Sequence, residues 1–304
     1  MLVKKLFSAD KTISKNSVVT IGNFDGVHLG HQILINKTVR LASNLAVESI
    51  VVTFDPHPIE VLNPFIGFEY ISNLKEDTNF IKAYKVSKLL VIPFSKEIAI
   101  LTANEFLTTL FQMVNPKVIV VGRDHRFGYN RQGDLDTLLS FAKAHGILIK
   151  IVEPVQIDGV KISSTCIRDF IKKGSIEKVN SMLGRCFRLS GAVVQGAKRG
   201  MSLGFPTANL IFENRVLPSA GVYSTQSIID GDKYKSVTYV GKSPTFSGKS
   251  FKVETHIIDF DQYIYNRELK VDFYSKIRDD IRFVNRFDLI RQIRQDVEEV
   301  RSLD

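Results

Sequence analysis

Two histidines flanking a Leu-Gly pair stand just after an apolar run. Ser17–Ile21 leads into Gly22-Asn23-Phe24-Asp25-Gly26-Val27-His28-Leu29-Gly30-His31. The run reads as a buried strand, and the H-x-G-H element opens a helix. A helix N-terminus offers free N–H groups and the positive end of its dipole, so it holds phosphate. Two imidazoles in that first turn add donors for the oxygens of a triphosphate. Gly22, Gly26 and Gly30 let the backbone approach a nucleotide closely. The plainer alternative is a glycine turn carrying two surface histidines. A zinc site is a further alternative, but no third ligand is evident.

Three later segments suit the same chemistry. F-D-P-H-P at 54–58 contains Asp55 and His57, and V-G-R-D-H-R-F-G at 121–128 contains Asp124, Arg126 and Phe127. S-S-T-x-I-R at 163–168 caps a helix and would aim Ser164, Thr165 and Arg168 at phosphate. Each alone also reads as a turn, a charged loop or an N-cap.

A second constellation lies in the other half of the chain. Gly196, Gly200 and Gly204 bracket Lys198 and Arg199, and Pro206-Thr207-Ala208-Asn209 follows. Such a loop can wrap phosphates with N–H groups and cations. Thr207 and Asn209 are two residues apart, so on an extended segment they face one side. Their oxygens are hard ligands suited to Mg2+. Glu254, in the apolar run around Val253, is a candidate base for a substrate hydroxyl. By itself it also reads as a solvent-facing strand carboxylate.

The elements that must position these groups change character along the chain. Strand patterns at 17–21, 48–54, 88–93, 117–121 and 147–152 alternate with helical patterns at 32–45, 74–86, 102–114 and 135–145. That alternation predicts βαβ units and a doubly wound parallel sheet, with ligands beyond the carboxyl ends of the strands. Two short helices follow, ending at Gly174 and Gly184. From there, β-rich runs at 189–195, 221–229, 236–240, 252–260 and 268–274 are broken by glycine and proline, predicting an antiparallel barrel or sandwich. Phe287, Ile290, Ile293, Val297 and Val300 give a closing helix with one apolar face. Two domains are expected, 1–183 and 184–304.

Bulk properties fit a two-domain globular protein. The chain has 304 residues, 44% hydrophobic and 24% charged, and no apolar run of membrane-spanning length. The net charge of +9 divides into +5 for 1–183 and +4 for 184–304. A preference for anionic ligands follows, and charge alone does not choose between nucleic acid and a nucleotide. No basic arm or Lys/Arg run favours nucleic acid. The start of the chain lacks the pattern of a signal peptide. Cys166 and Cys186 have neither metal-ligand spacing nor a disulfide framework, so a cytoplasmic location is expected.

Taken together, the motifs resemble the bacterial bifunctional riboflavin kinase/FAD synthetase family. G-x-F-D-G-V-H-x-G-H, F-D-P-H-P, G-x-D-x-R-F-G and S-S-T-x-I-R occur in that family's order, followed by its L-G-F-P-T-A-N and V-E-x-H-x-x-D-F elements. The resemblance implies a Rossmann-like α/β nucleotidyltransferase domain, then a six-stranded antiparallel β-barrel kinase domain with a terminal helix. It implies phosphorylation of riboflavin to FMN in the second domain and adenylyl transfer from ATP to FMN in the first. His28, His31 and Arg168 would contact ATP phosphates, in a site that includes Gly22, Phe24, Asp25, Gly26, Ser164 and Thr165. Asp55, His57, Asp124, Arg126 and Phe127 would place FMN and adenine. In the kinase, Gly196, Lys198, Arg199, Gly200, Gly204, Pro206, Thr207 and Asn209 would bind ATP. There Thr207 and Asn209 would hold Mg2+, and Glu254 would deprotonate the ribityl 5′-hydroxyl. Mg2+ would come with ATP, and flavins would be substrates and products rather than a resident prosthetic group. ATP, riboflavin, FMN and FAD are the expected partners, with neither nucleic acid nor membrane, and with weak self-association left open.

This chain departs from the family's pattern in four places, one of them an extra residue within Leu217–Gly221. Cys186 replaces a proline, His125 stands where an aromatic is expected, and Q-Y-I-Y-N at 262–266 replaces G-D-L-Y-G. The last two motivate an alternative enzyme, a riboflavin kinase whose first domain has an impaired or altered adenylyltransferase. A basic nucleic-acid-binding protein is the alternative from another class.

Overall fold

The computed structural model describes residues 2–4, 12–196, 199–242 and 251–303. By their internal contacts the residues form two compact units, Met1–Ser164 and Thr165–Asp304.

The first unit carries six parallel strands: β1 (Leu2–Lys4), β2 (Ser17–Ile21), β3 (Glu48–Phe54), β4 (Lys88–Ile92), β5 (Pro116–Gly122) and β6 (Leu148–Val152). Its helices are α1 (Leu29–Asn44), α2 (Pro58–Leu62), α3 (Leu74–Ala83), α4 (Lys96–Ala99), α5 (Ala103–Val114) and α6 (Leu135–Ala144). The strand order is β1-β4-β3-β2-β5-β6. From β2 the chain builds outward to β3 and β4, then returns to add β5 and β6 on the other side. The order therefore reverses between β2 and β5, and an open α/β sheet binds its ligand at that reversal.

Every residue of β2 is buried, as a strand covered on both faces requires. One face packs Val18, Ala42, Val118 and Val120, with Ile35, Val51 and Ile81 close by, beneath α1 and α3. The other packs Val19, Ile50, Leu90 and Ile119 against Phe106, Leu110 and Leu138 of α5 and α6. Each such side chain contributes about 1.5–3 kcal/mol on burial. Asn73–Glu76 and Thr102–Glu105 form capping boxes that fix where α3 and α5 begin. A two-stranded hairpin follows the sheet, β7 (Gln156–Ile157) with β8 (Val160–Lys161).

Helices α7 (Ser164–Lys172) and α8 (Ile176–Leu183) come next, and Gly184 ends α8 at φ +67. The expected domain junction followed α8, whereas the contact division falls between Ser164 and Thr165, at the first residue of α7. Asn180 of α8 donates to the Phe273 carbonyl at 2.9 Å and accepts from the Phe187 N–H at 2.7 Å, so α8 is tied to the second unit's sheet.

That sheet is a closed barrel of β9 (Phe187–Val194), β10 (Ala208–Ile211), β11 (Gly221–Ile229), β12 (Asp232–Lys242), β13 (Phe251–Ile257) and β14 (Glu268–Asp279), all paired antiparallel. The short helix α9 (Arg199–Ser202) precedes β10, and α10 (Arg286–Ser302) closes the unit. Val297 and Val300 of α10 pack on Val222 and Val237, and Arg278 grips the buried Asp296 through Nε and Nη2 at 2.9 and 2.7 Å. Removing one member of such a buried pair costs about 3–5 kcal/mol, because the other charge is left behind. The barrel interior also holds a run of hydroxyls. Thr225 bonds Ser236 and Thr238 at 2.8 Å each, and Thr238 bonds Thr255 at 2.9 Å.

Candidate active sites

In the first unit, a cavity of about 240 Å³ opens at the strand-order reversal. Its wall includes Gly22 after β2, Gly122 at the end of β5, Val152 at the end of β6, and both His28 and His31. His28 is the N-cap of α1, and its Nδ1 accepts the His31 N–H at 3.3 Å. An accepting Nδ1 puts the proton of the neutral ring on Nε2, which is then a donor. The two imidazoles stack with centroids 3.6 Å apart and planes 18° from parallel, and Phe24 leans on His31 at 5.1 Å. Gly30 makes the stack fit, since a Cβ there would lie 3.1 Å from the His28 ring. Among the described residues no cluster of three His, Cys, Asp or Glu could hold a metal, so the zinc reading of this pair gains no third ligand.

Asp25 and Gly26 are not on the cavity wall. Asp25 is 2% exposed, and its Oδ1 accepts the Ile71 and Ser72 N–H groups at 3.0 and 3.3 Å. Its carboxylate shapes the loop from below. Ser164 Oγ donates to the Asp25 carbonyl at 3.0 Å, which ties the 163–165 segment to that loop. Thr165 is exposed, and Arg168 lies on α7 in the second unit.

Of the residues expected to place FMN and adenine, Asp124 lines the cavity, in an ion pair with Lys161. Beside it Arg123 grips Glu153 through Nε at 2.7 Å and holds that carboxyl below its ordinary range. Both pairs are exposed, and such pairs exchange partners at small cost. His125 lines the cavity and stacks on Phe127 at 5.6 Å and 22°. Loss of water around its ring, helped by the charge of Arg131, pushes its pKa down to about 4. It is a neutral, flat ring at pH 7, which suits a stacking role in place of the expected aromatic. Asp55, His57, Arg126 and Phe127 are not on this wall. His57 is buried as the N-cap of α2 and stacks on Phe68 at 4.2 Å. Arg126 pairs with Asp134, the N-cap of α6, at 3.1 Å. Phe127 packs into the core beside Phe106. The sequence reading missed Glu153, Lys161 and Ile162. A strand end at Val152 and the position just before 163–168 were the signals that could have found them.

In the second unit, a cavity of about 300 Å³ is lined by Gly196, Pro206, Thr207 and Asn209 on one side and Phe260, Tyr263 and Tyr265 on the other. A Cβ at Gly196 would overlap the Asn209 carboxamide, and one at Gly200 would meet the Phe205 carbonyl and Thr207 Oγ1. Gly196 therefore lies close against Asn209, and Gly200 against Thr207. Gly204 turns at φ +86. Lys198 lies outside the described residues, as does the side chain of Arg199.

The strand carrying Asn209 is not among the five β-rich runs expected from the sequence. In the barrel, β10 puts Asn209 directly opposite Glu254 of β13. Opposite residues have Cβ atoms about 4.5–5.5 Å apart. Val253, Thr255 and Ile257 are buried while Glu254 is half-buried, so Glu254 points away from the barrel interior. It accepts from Lys252 Nζ at 3.0 Å. Glu254 sits beside the cavity through Asn209 rather than on its wall. His256, which the sequence reading gave no role, bonds the Pro206 carbonyl through Nδ1 at 2.8 Å and so pins the segment before β10. Asn266, where the family pattern has glycine, takes φ +63, the left-handed turn its side chain tolerates.

The oxygens available here are a hydroxyl, a carboxamide and a carboxylate, a set that suits a hard divalent cation shared with phosphate. Thr207 and Asn209 alone are too few to cage an ion, which fits one that arrives with a nucleotide.

Known proteins align with both units. The FAD synthetase family model matches residues 10–166, and the riboflavin kinase family model matches residues 183–303. The bifunctional riboflavin kinase/FMN adenylyltransferase of Buchnera aphidicola subsp. Acyrthosiphon pisum is 33% identical over 291 residues, covering 94% of this chain and 93% of that protein. The Escherichia coli K12 protein of the same description is 31% identical over 297 residues, covering 97% and 95%. A crystal structure from Streptococcus pneumoniae, described as a macrolide-efflux protein, superposes with a TM-score of 0.91 at 33% identity, covering 100% of this chain and 99% of that one. Among the described residues of this chain, no helix is long and apolar enough to cross a membrane. With both family models matched in order and relatives aligned over nearly their full length, the chain belongs to the bifunctional riboflavin kinase/FMN adenylyltransferase family, enzymes with an FAD synthetase domain and a riboflavin kinase domain.

Proposed function

We propose that the cavity of the first unit binds ATP for transfer to FMN, and that the cavity of the second binds ATP for transfer to riboflavin. The supporting observation is that His28, His31, Asp124 and His125 line one cavity and Gly196, Pro206, Thr207 and Asn209 line another, each within its own unit. In the first, the α1 N-terminus, His28, His31 and the backbone at Gly22 and Phe24 hold the triphosphate. An FMN phosphate oxygen attacks the α-phosphorus. A P–O bond forms there as the bond to the bridging oxygen breaks, and pyrophosphate leaves. The nucleophile is already an anion, so positioning and charge stabilisation suffice. Asp124 and the His125 ring would help place the flavin or the adenine base.

In the second unit, the 196–204 loop cradles the phosphates. Glu254 takes the proton of the ribityl 5′-hydroxyl, the oxygen bonds to the γ-phosphorus, and ADP leaves. Thr207 and Asn209 would hold Mg2+, which when bound neutralises phosphate charge. We place the protein in the cytoplasm, a reading that its two free cysteines support.

The deciding experiment is a time course with riboflavin, ATP and Mg2+, with the flavins separated by chromatography. FMN appearing first and FAD following is the expected result. FMN without FAD would leave only the kinase half standing.

A further inference from the structure

The loop that carries the two histidines is held from beneath by residues more than forty positions later. The Gly26 N–H donates to Ser72 Oγ at 2.9 Å. The Ser72 hydroxyl in turn donates to an Asp77 carboxylate oxygen. A carboxylate only accepts, so Asp77 commits the single serine proton to itself and leaves the serine oxygen facing Gly26 as an acceptor. Beside this relay, Asp25 Oδ1 accepts the Ile71 and Ser72 amides. Ile71 fills the space a Cβ on Gly26 would need, with Cγ2 at 2.8 Å. Asp25, Ser72 and Asp77 are 2%, 4% and 8% exposed. Asp77 lies in the first turn of α3, where the helix dipole favours a negative charge.

What the relay holds is an unusual backbone. Phe24, Gly26 and Val27 take φ of +52, +79 and +35. A phenylalanine and a β-branched valine enter that region only when their surroundings fix them there. His28, the N-cap of α1, follows directly.

We infer that Ser72 and Asp77 are positioning residues for adenylyl transfer. The Gly26–Ser72–Asp77 relay sets the left-handed course of 24–27, and with it the angle at which His28 and His31 meet the nucleotide. Neither residue touches the cavity. The inference rests on the reading of this loop as the ATP site.

The test uses the full chain carrying Ser72→Ala or, as the milder isosteric change, Asp77→Asn. Two readouts are taken, hydrogen exchange of the 22–31 amides without ligand, and the ATP dependence of FAD formation from FMN. Riboflavin phosphorylation by the same preparation serves as the internal standard. Ser72→Ala should speed exchange at the loop and raise KM for ATP about tenfold, with a smaller shift for Asp77→Asn and the kinase unchanged. A purely structural role would lower the active fraction, and so kcat, at unchanged KM for ATP. That outcome, or unchanged exchange in both variants, overturns the inference. If the unsubstituted chain makes no FAD, the adenylyltransferase reading falls, and the exchange result still decides whether the relay holds the loop.

Discussion

The two cavities are read as serving the same nucleotide through unlike means. In the first unit the cradle is a helix start at the reversal of a parallel sheet, and its imidazoles, His28 and His31, share the wall with the ion-paired carboxylates Asp124 and Glu153. In the second it is a glycine loop laid against a barrel strand, with a carboxylate opposite an amide, Glu254 and Asn209. The difference follows from the acceptor. A phosphate arrives ionised and asks only for charge to be stabilised. An alcohol must lose a proton, so a base has to be supplied. A protein that treats both acceptors therefore gains from two scaffolds.

Substitutions can separate the halves of this comparison. The largest effect is expected for Glu254→Gln, which should slow FMN formation by about 10²–10⁴-fold and leave FAD formation from added FMN intact. His28→Ala should do the reverse, slowing FAD formation about 10²–10³-fold with the kinase unaffected. Gly30→Ala probes the same stack more gently. Its Cβ would press the His28 ring at 3.1 Å, so KM for ATP in FAD formation should rise about tenfold, as small displacements of reacting groups do.

A subtler test is thermal. His125 has a folded pKa of about 4, below its ordinary value of 6.5. The unfolded chain therefore binds the proton more readily, and the stabilising contribution is complete above pH about 6.5 and lost as the pH falls toward 4. The unfolding midpoint of the first unit should drop over that interval, and His125→Phe should flatten the drop. If the variant keeps the full pH slope, other groups carry it.

Local features were the most readable in the sequence. The run Ser17–Ile21 and the glycines after it betray a strand, a turn and a helix start because each signal lies within ten residues. The strand Ala208–Ile211 was not readable. It is four residues long and follows a glycine-proline loop, so its strand character comes from pairing with β9 and β13 rather than from its own pattern. Strand β14 runs five residues past its expected end at Tyr274, because register shifts against β11 let the polar stretch to Asp279 stay paired. In the first site, Asp25 looked like a phosphate neighbour and serves Ile71 and Ser72 instead. No local rule could have shown that, because those partners are brought there only by the fold.

The hydroxyls inside the barrel affect how the second unit responds to temperature. Thr225, Ser236, Thr238 and Thr255 occupy interior positions of the barrel. Unfolding the barrel thus wets polar surface along with apolar surface, and polar hydration lowers the heat capacity that apolar hydration raises. The heat capacity of unfolding of the barrel should therefore be smaller than its buried apolar surface alone would give.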